Sequence, residues 1–116
     1  MQAAADANIL SIGVDANQNY MHPGQVLTSM LKRVDLAVYN AFSEGESLTT
    51  GFNIMGLAQD GVGYALDEYN EGLVSAEMVS KLEAEKAKLV NGQIKVHDYM
   101  SDNTCPVKLN DKTFDK

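Results

Sequence analysis

The sequence predicts an α/β fold in which short, mostly parallel strands carry helices on both faces. Ile9 to Val14 form a short, β-branched apolar run that stops at Asp15, as in a strand that is covered on both faces. Further along, Ala76 to Asn91 carry apolar residues at helical spacing. Short apolar runs that alternate with amphipathic helices are typical of an open α/β sheet.

The region after the first strand contains a turn, a second extended run and a helix. Residues 16–24 are mostly polar and include His-Pro-Gly, which predicts a turn. Val26 to Ser29 form the second extended run, and Ser29 is the expected N-cap of the helix. Gly45 is the expected C-cap. The apolar face of this helix is predicted to comprise Met30, Val34, Ala37, Val38 and Ala41.

Two more strands are predicted in the middle of the chain. Residues 51–57 (GFNIMGL) form a short run in which Phe52 and Ile54 are expected in the core. A second run alternates large residues with Gly63 and Ala65, which predicts a strand with one large face and one small face. Its large residues are Val62, Tyr64 and Leu66.

The last third of the chain is predicted to be a helix, a short strand and a tail. Ser75 is the expected N-cap of the helix from Ala76 to Asn91. Ion pairs at i,i+4 are expected on its polar face between Glu77 and Lys81 and between Lys81 and Glu85. Ile94 and Val96 predict a final extended segment. Residues 98–116 are polar without any period, and we expect a flexible tail.

Composition excludes several classes of protein. The 116 residues suit one small domain, and the net charge of −7 argues against nucleic acid or an anionic membrane surface as a partner. A single cysteine allows no internal disulfide. No stretch approaches the roughly 20 apolar residues of a membrane span, and the first ten residues do not have the pattern of an export signal.

Asp15 and Lys32 are the two candidate binding residues. A carboxylate that leaves the carboxyl end of a buried parallel strand is well placed to contact a ligand. Lys32 is expected in the first turn of its helix, where the helix dipole disfavours a cation by roughly 0.3–1 kcal/mol. Either Asp35 offsets this cost at i+3, or Lys32 and Asp15 converge on one polar ligand.

No metal centre, cofactor site or catalytic group is predicted. His22 and His97 are far apart in the sequence and lack the spacing of metal ligands. Ser29 and Lys32 form an S-x-x-K pair, but the other motifs of serine acylases are missing. The glycine-rich segment GLAQDGVG has no lysine at the spacing of a phosphate-binding loop.

Four ordered segments carry a resemblance to a known family. IGVDANQNY, VLTSMLKRVDLAVYNAF, GLAQDGVG and NGQIKV resemble the C-terminal part of the basic membrane protein (BMP) family. That family comprises substrate-binding proteins of ABC transporters and is related to purine nucleoside receptor lipoproteins. The resemblance implies that residues 1–97 are part of a three-layer C-terminal lobe of a type I periplasmic-binding-protein fold, truncated at its N-terminus.

The resemblance also implies a ligand and a site. In the family block that IGVD resembles, the aspartate faces a cleft between two lobes and binds ribose hydroxyls, which implies this role for Asp15. Lys32 matches the lysine that completes the ribose site, and Asn17 and Gln18 are weaker candidates for ligand contacts. The implied ligand is a purine nucleoside or similar small polar solute, which the protein passes to an ABC permease without catalysis. The full-length protein is implied to be periplasmic or anchored outside the cell as a lipoprotein.

The sequence leaves three alternatives open. The same lobe could serve in a cytoplasmic, ligand-sensing regulatory protein. A small flavodoxin-like enzyme could use Asp15 and Lys32 as an acid/base pair. The chain alone could bind nothing and self-associate through the apolar stripe of its helix at residues 76–91.

Overall fold

A three-stranded sheet forms the centre of the computed structural model, which describes residues 1–106. Strand β2 lies in the middle of the sheet, with β1 parallel to it on one side and β3 antiparallel on the other. The strands are β1 (Ser11–Asp15), β2 (Val26–Lys32) and β3 (Val62–Tyr64). The helices are α1 (Gln2–Asp6), α2 (Val34–Glu44), α3 (Ala76–Val90) and α4 (Tyr99–Asp102). The predicted α/β fold is confirmed.

Several predicted boundaries are confirmed by the local geometry. Strand β1 ends at Asp15. The Met78 N–H donates to Ser75 Oγ at 3.2 Å, so Ser75 caps α3 as predicted. Gly45 is the C-cap of α2 with a φ of 51°, a conformation that favours glycine. The predicted ion pair between Glu77 and Lys81 is present at 2.7 Å.

The predicted start of the second helix is wrong by four residues. Residues 30–32 continue β2, because Met30 and Leu31 pair with both β1 and β3 and Lys32 pairs with β3. The backbone hydrogen bonds to the two neighbouring strands favour an extended conformation at Met30, although the sequence pattern favours a helix there. Ser29 lies inside the strand and is no N-cap, and Lys32 is the last strand residue rather than part of the first helical turn.

Arg33, rather than Lys32, pairs with the carboxylate in the first turn of α2. Its Nε and Nη2 donate to Asp35 Oδ1 and Oδ2 at 2.9 and 2.8 Å. These hydrogen bonds lower the pKa of Asp35 and raise that of Arg33. Asp35 therefore offsets the charge of Arg33, and the expected pairing of Asp35 with Lys32 is wrong.

Two predicted strands do not form within residues 1–106. Phe52 and Ile54 are 105% and 87% exposed and belong to no strand, so their expected core positions are wrong. The segment with Ile94 and Val96 is also irregular. An extended run needs a neighbouring edge to pair its backbone groups, and no described strand pairs with either segment.

The remaining differences concern α3 and the predicted tail. Glu85 pairs with Lys88 at 2.6 Å instead of with Lys81. The tail begins with the short helix α4, where the Met100 N–H donates to the Asp98 carboxylate at 2.9 Å. Residues 107–116 lie outside the described residues.

The apolar core of the described residues is small. Val26 is fully buried and Ala65 is 4% exposed. Ile12 and Val14 of β1 are 58% and 53% exposed, so the expectation that β1 is covered on both faces is wrong. The reason is that none of the helices in residues 1–106 packs extensively on β1, so the face with Ile12 and Val14 stays uncovered.

We predict that Ser75→Ala destabilises the chain by about 1 kcal/mol, because the first turn of α3 loses its capping acceptor. The free energy of unfolding from urea titration followed by circular dichroism measures the loss. Ser80→Ala is the matched control, since Ser80 is an exposed residue inside the same helix where alanine is favoured. Equal effects of the two substitutions would contradict the assigned cap.

Candidate functional site

Asp15 and Lys32 lie at the same edge of the sheet. Asp15 is the last residue of β1 and Lys32 is the last residue of β2. Because the two strands are parallel neighbours, their carboxyl ends meet at one edge. In the register, Asp15 lies beside Leu31 and Lys32 follows one residue later. Both side chains are exposed.

The backbone at Asp15 leaves the regular strand conformation. Its φ is 73°, which is the left-handed region that aspartate tolerates better than most residues. Side chains alternate between the two faces along β2, so Lys32 lies on the face opposite to Leu31. At Asp15 the left-handed backbone interrupts that alternation. Within residues 1–106, neither Asp15 nor Lys32 has a side-chain hydrogen bond or ion pair.

Gln18 attaches the following loop, residues 16–24, to the sheet. Its side-chain oxygen accepts the Val14 N–H at 3.2 Å, and its own N–H donates to Ser29 Oγ at 3.0 Å. Ser29 is fully buried in β2. The backbone of the loop is therefore held against both parallel strands.

Asn17 attaches the same loop to a distant part of the chain. Its side-chain oxygen accepts the Asn19 N–H at 3.0 Å, and its Nδ2 donates to Asp67 Oδ2 at 2.7 Å. Asn19 Nδ2 donates to the same carboxylate oxygen at 3.1 Å. Both ends of the Asn17 side chain thus have partners within the protein.

The polar contacts continue into the interior. Asn19 and Asn70 are fully buried. Ser29 Oγ donates to Asn19 Oδ1 at 2.8 Å. Asn70 Nδ2 donates to the carbonyl oxygens of Leu27 and Ala65 at 2.8 and 3.0 Å. Among residues 1–106, no buried side-chain nitrogen or oxygen lacks a hydrogen-bond partner, so the buried polar groups are fully compensated.

Asp67 is the charged group of this network, and its hydrogen bonds lower its pKa. The hydrogen bond from Asn17 is the main reason why the pKa of Asp67 lies below its usual range, and the N–H groups of Tyr69 and Asn70 and the amide of Asn19 add to it. The Tyr69 N–H donates to Oδ1 at 2.9 Å. The Asp67 N–H in turn donates to Asn70 Oδ1 at 2.9 Å. The carboxylate is therefore stabilised in its ionised form.

Asp67, Asn19 and Asn70 stand in no motif that marks them in the sequence. Asp67 and Asn70 have the i,i+3 spacing of a side-chain-stabilised turn, which by itself predicts only a local turn. The contact between Asp67 and Asn17 spans 50 residues. No local pattern in one sequence indicates such a contact.

The described part of the chain contains neither a metal-binding cluster nor a membrane-spanning helix. Within residues 1–106, no three His, Cys, Asp or Glu side chains lie where they could share a metal ion. The same residues contain no helix of the length and hydropathy that a membrane crossing requires.

Comparisons with known proteins identify the family. Residues 1–99 match the Bmp family, described as ABC transporter substrate-binding protein PnrA-like. The chain is 36% identical over 91 residues to basic membrane protein D of Borreliella burgdorferi (strain JD1), covering 73% of this chain and 26% of that protein. The chain belongs to the Bmp family of ABC transporter substrate-binding proteins.

A solved structure supports the same fold. An ABC transporter solute-binding protein from Aeropyrum pernix K1 matches with a TM-score of 0.61 and 26% identity, over 86% of this chain and 37% of that chain. The predicted solute-binding-protein fold is thereby confirmed. The chain spans roughly a quarter to two fifths of the length of these two relatives.

We predict that Gly13→Ala destabilises the chain by roughly 1–3 kcal/mol, the usual cost of overpacking. A Cβ at Gly13 would collide with Ser29 Oγ and lie 3.0 Å from the Gln18 side-chain oxygen. Gly63→Ala is the control, since a Cβ at Gly63 meets nothing within 4 Å. Urea titrations of both variants measure the difference, and an equal loss in both would refute the close approach at Gly13.

We also predict a pH dependence that originates at Asp67. Because its pKa is lowered in the folded chain, the ionised carboxylate adds stability above its unfolded pKa, and this contribution is lost as the pH falls below about 4. The thermal midpoints of the wild type and Asp67→Asn should therefore differ most near about pH 6 and converge below about pH 4. Glu68→Gln, at the exposed neighbouring residue, should change the midpoint little at either pH. A wild-type to Asp67→Asn gap that is independent of pH would contradict the assignment.

Proposed function

We propose that the chain supplies one wall of a cleft that captures a nucleoside-like solute for import by an ABC transporter. The observation that carries this proposal is the position of Asp15 and Lys32. They end neighbouring parallel strands at one edge of the sheet, their side chains are exposed, and neither has a side-chain partner within residues 1–106. Ligands of open α/β sheets bind outside the carboxyl ends of the strands.

The chemistry of the two groups fits a sugar. A carboxylate accepts two hydroxyl protons in charge-assisted hydrogen bonds, which are stronger than neutral ones. The ammonium group of Lys32 has three donors for hydroxyl or ring oxygens. Gln18 also contributes, because its oxygen is used by Val14 N–H while its amide N–H groups can donate to the solute. Asn17 uses both ends of its side chain within the protein, and its role is to hold the loop.

The rest of the proposal concerns the whole protein. Since the chain covers 26% and 37% of two relatives, other parts of the protein would supply the opposite wall and the contacts to the base. Closure of two lobes on the solute would create the surface that docks on the permease. Such a protein works outside the cytoplasm, in the periplasm or anchored to the membrane as a lipoprotein, and makes or breaks no bond. Family membership favours this function over a cytoplasmic sensor or a flavodoxin-like enzyme.

Self-association of this chain is a further proposal, and it concerns α3. Met78, Leu82 and Val90 on its apolar stripe are 42%, 45% and 48% exposed. Exposed apolar stripes of this kind favour contact between molecules. Self-association would compete with the lobe contacts of the whole protein.

We predict that adenosine, guanosine and inosine bind to the chain with dissociation constants on the order of millimolar, which corresponds to about −4 kcal/mol. Saturation-transfer NMR detects binding in this range, and calorimetric titration sets its upper limit. Asp15→Asn and Lys32→Met should each abolish the transfer signal. 2′,3′-Dideoxyadenosine should give a much weaker signal than adenosine, because it lacks the ribose hydroxyls that would donate hydrogen bonds to Asp15.

Two variants serve as controls for charge. Glu46→Gln and Lys81→Met remove an exposed carboxylate and an exposed ammonium group elsewhere on the chain, and both should retain the signal. Equal signals from the wild type, Asp15→Asn and Lys32→Met would refute the proposed site. Submicromolar binding would refute the view that most ligand contacts come from other parts of the protein.

A further inference from the structure

We propose that Asp67 is the positioning residue of the solute site and holds the loop of residues 16–24 in place beside Asp15. The inference rests on the proposed function, since it concerns the same edge of the sheet. Asp67 itself lies after β3, about 50 residues away in sequence from the loop. Nothing in its local sequence connects it with a ligand.

Several hydrogen bonds from the loop and its neighbours converge on Asp67. One carboxylate oxygen, Oδ2, accepts from the amides of both Asn17 and Asn19 at 2.7 and 3.1 Å. The other oxygen accepts the Tyr69 N–H at 2.9 Å. A second link between the same segments is the Gly24 N–H, which donates to the Tyr69 carbonyl at 2.9 Å. Both ends of the loop are therefore tied to residues 67–69.

Asp67 is itself held in place by hydrogen bonds to the sheet through Asn70. Its N–H donates to the side-chain oxygen of Asn70. Asn70 is fully buried and donates to main-chain oxygens of Leu27 and Ala65. Asp67 is thus fixed relative to β2, the strand that ends in Lys32. The network sets the loop after Asp15 relative to the strand that carries the second binding residue.

The contacts of Asp67 require a carboxylate. Two amide groups and one backbone N–H all donate to Asp67, so both oxygens must act as acceptors. A carboxamide offers one acceptor oxygen and one donor nitrogen. In Asp67→Asn, either orientation of the new side chain would place its NH₂ against another donor. The substitution therefore keeps the size and shape of the side chain but removes its ability to accept all three hydrogen bonds.

The test uses hydrogen exchange of the 116-residue chain, followed by mass spectrometry, together with the adenosine transfer signal. In Asp67→Asn, amides of residues 16–24 should exchange about tenfold faster, as expected when a hydrogen bond to a charged group is lost. Amides of α3 should be unchanged, and the adenosine signal should fall. Glu68→Gln should leave exchange and binding as in the wild type.

A rescue variant separates positioning from a general loss of stability. In Asp67→Asn combined with Asn17→Asp, the new carboxylate at position 17 can accept from the new amide at position 67, and the Asn19 N–H keeps its acceptor. Protection of residues 16–24 should be partly restored in this double variant. If Asp67→Asn does not fold, Asn17→Ala removes one tie at an exposed residue and should raise exchange only in this loop.

Each outcome has a defined meaning. Unchanged exchange in residues 16–24, or a uniform rise across the chain, would overturn the positioning role. Faster exchange of the loop with undiminished adenosine binding would overturn it as well. If the wild type itself gives no adenosine signal but Asp67→Asn loosens only the loop, the proposed function fails, while the positioning of the loop by Asp67 is supported.

Discussion

The double pairing of β2 is the constraint on which the described fold depends. Met30 and Leu31 are paired both to β1 and to β3, and Lys32 is paired to β3, so the strand reaches Lys32 before α2 can start. This extension brings the ends of β1 and β2 to the same edge of the sheet. It also places Ser29 inside the strand, where its hydroxyl can join the loop of residues 16–24 to the sheet.

Buried polar groups take the place that a larger apolar core would occupy. Three of the fully buried residues are Asn19, Ser29 and Asn70, and only Val26 and Ala65 form the buried apolar core of residues 1–106. Fully satisfied networks of this kind specify one geometry, because every alternative leaves a polar group without a partner. Around the candidate site, the fold therefore gains precision from hydrogen bonds more than from packing.

The sequence predicted those features that depend on neighbours in the chain. Ser75 as a cap, Gly45 as a helix end and the stop at Asp15 all rest on local chemistry, and the structure agrees. The predicted start of α2 was wrong because the pairing of β2 with two other strands outweighed the helical pattern of the sequence. Asp67 was missed because its partners are 48 and 50 residues away.

The candidate site shows the same division between local and distant information. Asp15 and Lys32 could be named from a strand end and a family resemblance, and their binding role stays a prediction. Exposed apolar positions such as Phe52 and Ile54 were expected in the core. A hydrophobic pattern indicates which residues favour burial. It does not indicate whether the residues that would pack against them belong to the same stretch of chain.

The left-handed backbone at Asp15 restricts how this position can evolve. Glycine, asparagine and aspartate adopt such a φ readily, whereas β-branched residues are strained there. Backbone strain therefore limits which residues can occupy position 15, independently of any ligand. In the proposed solute site, a change of solute preference would therefore arise more easily at Lys32 or Gln18, where the main chain does not have a positive φ.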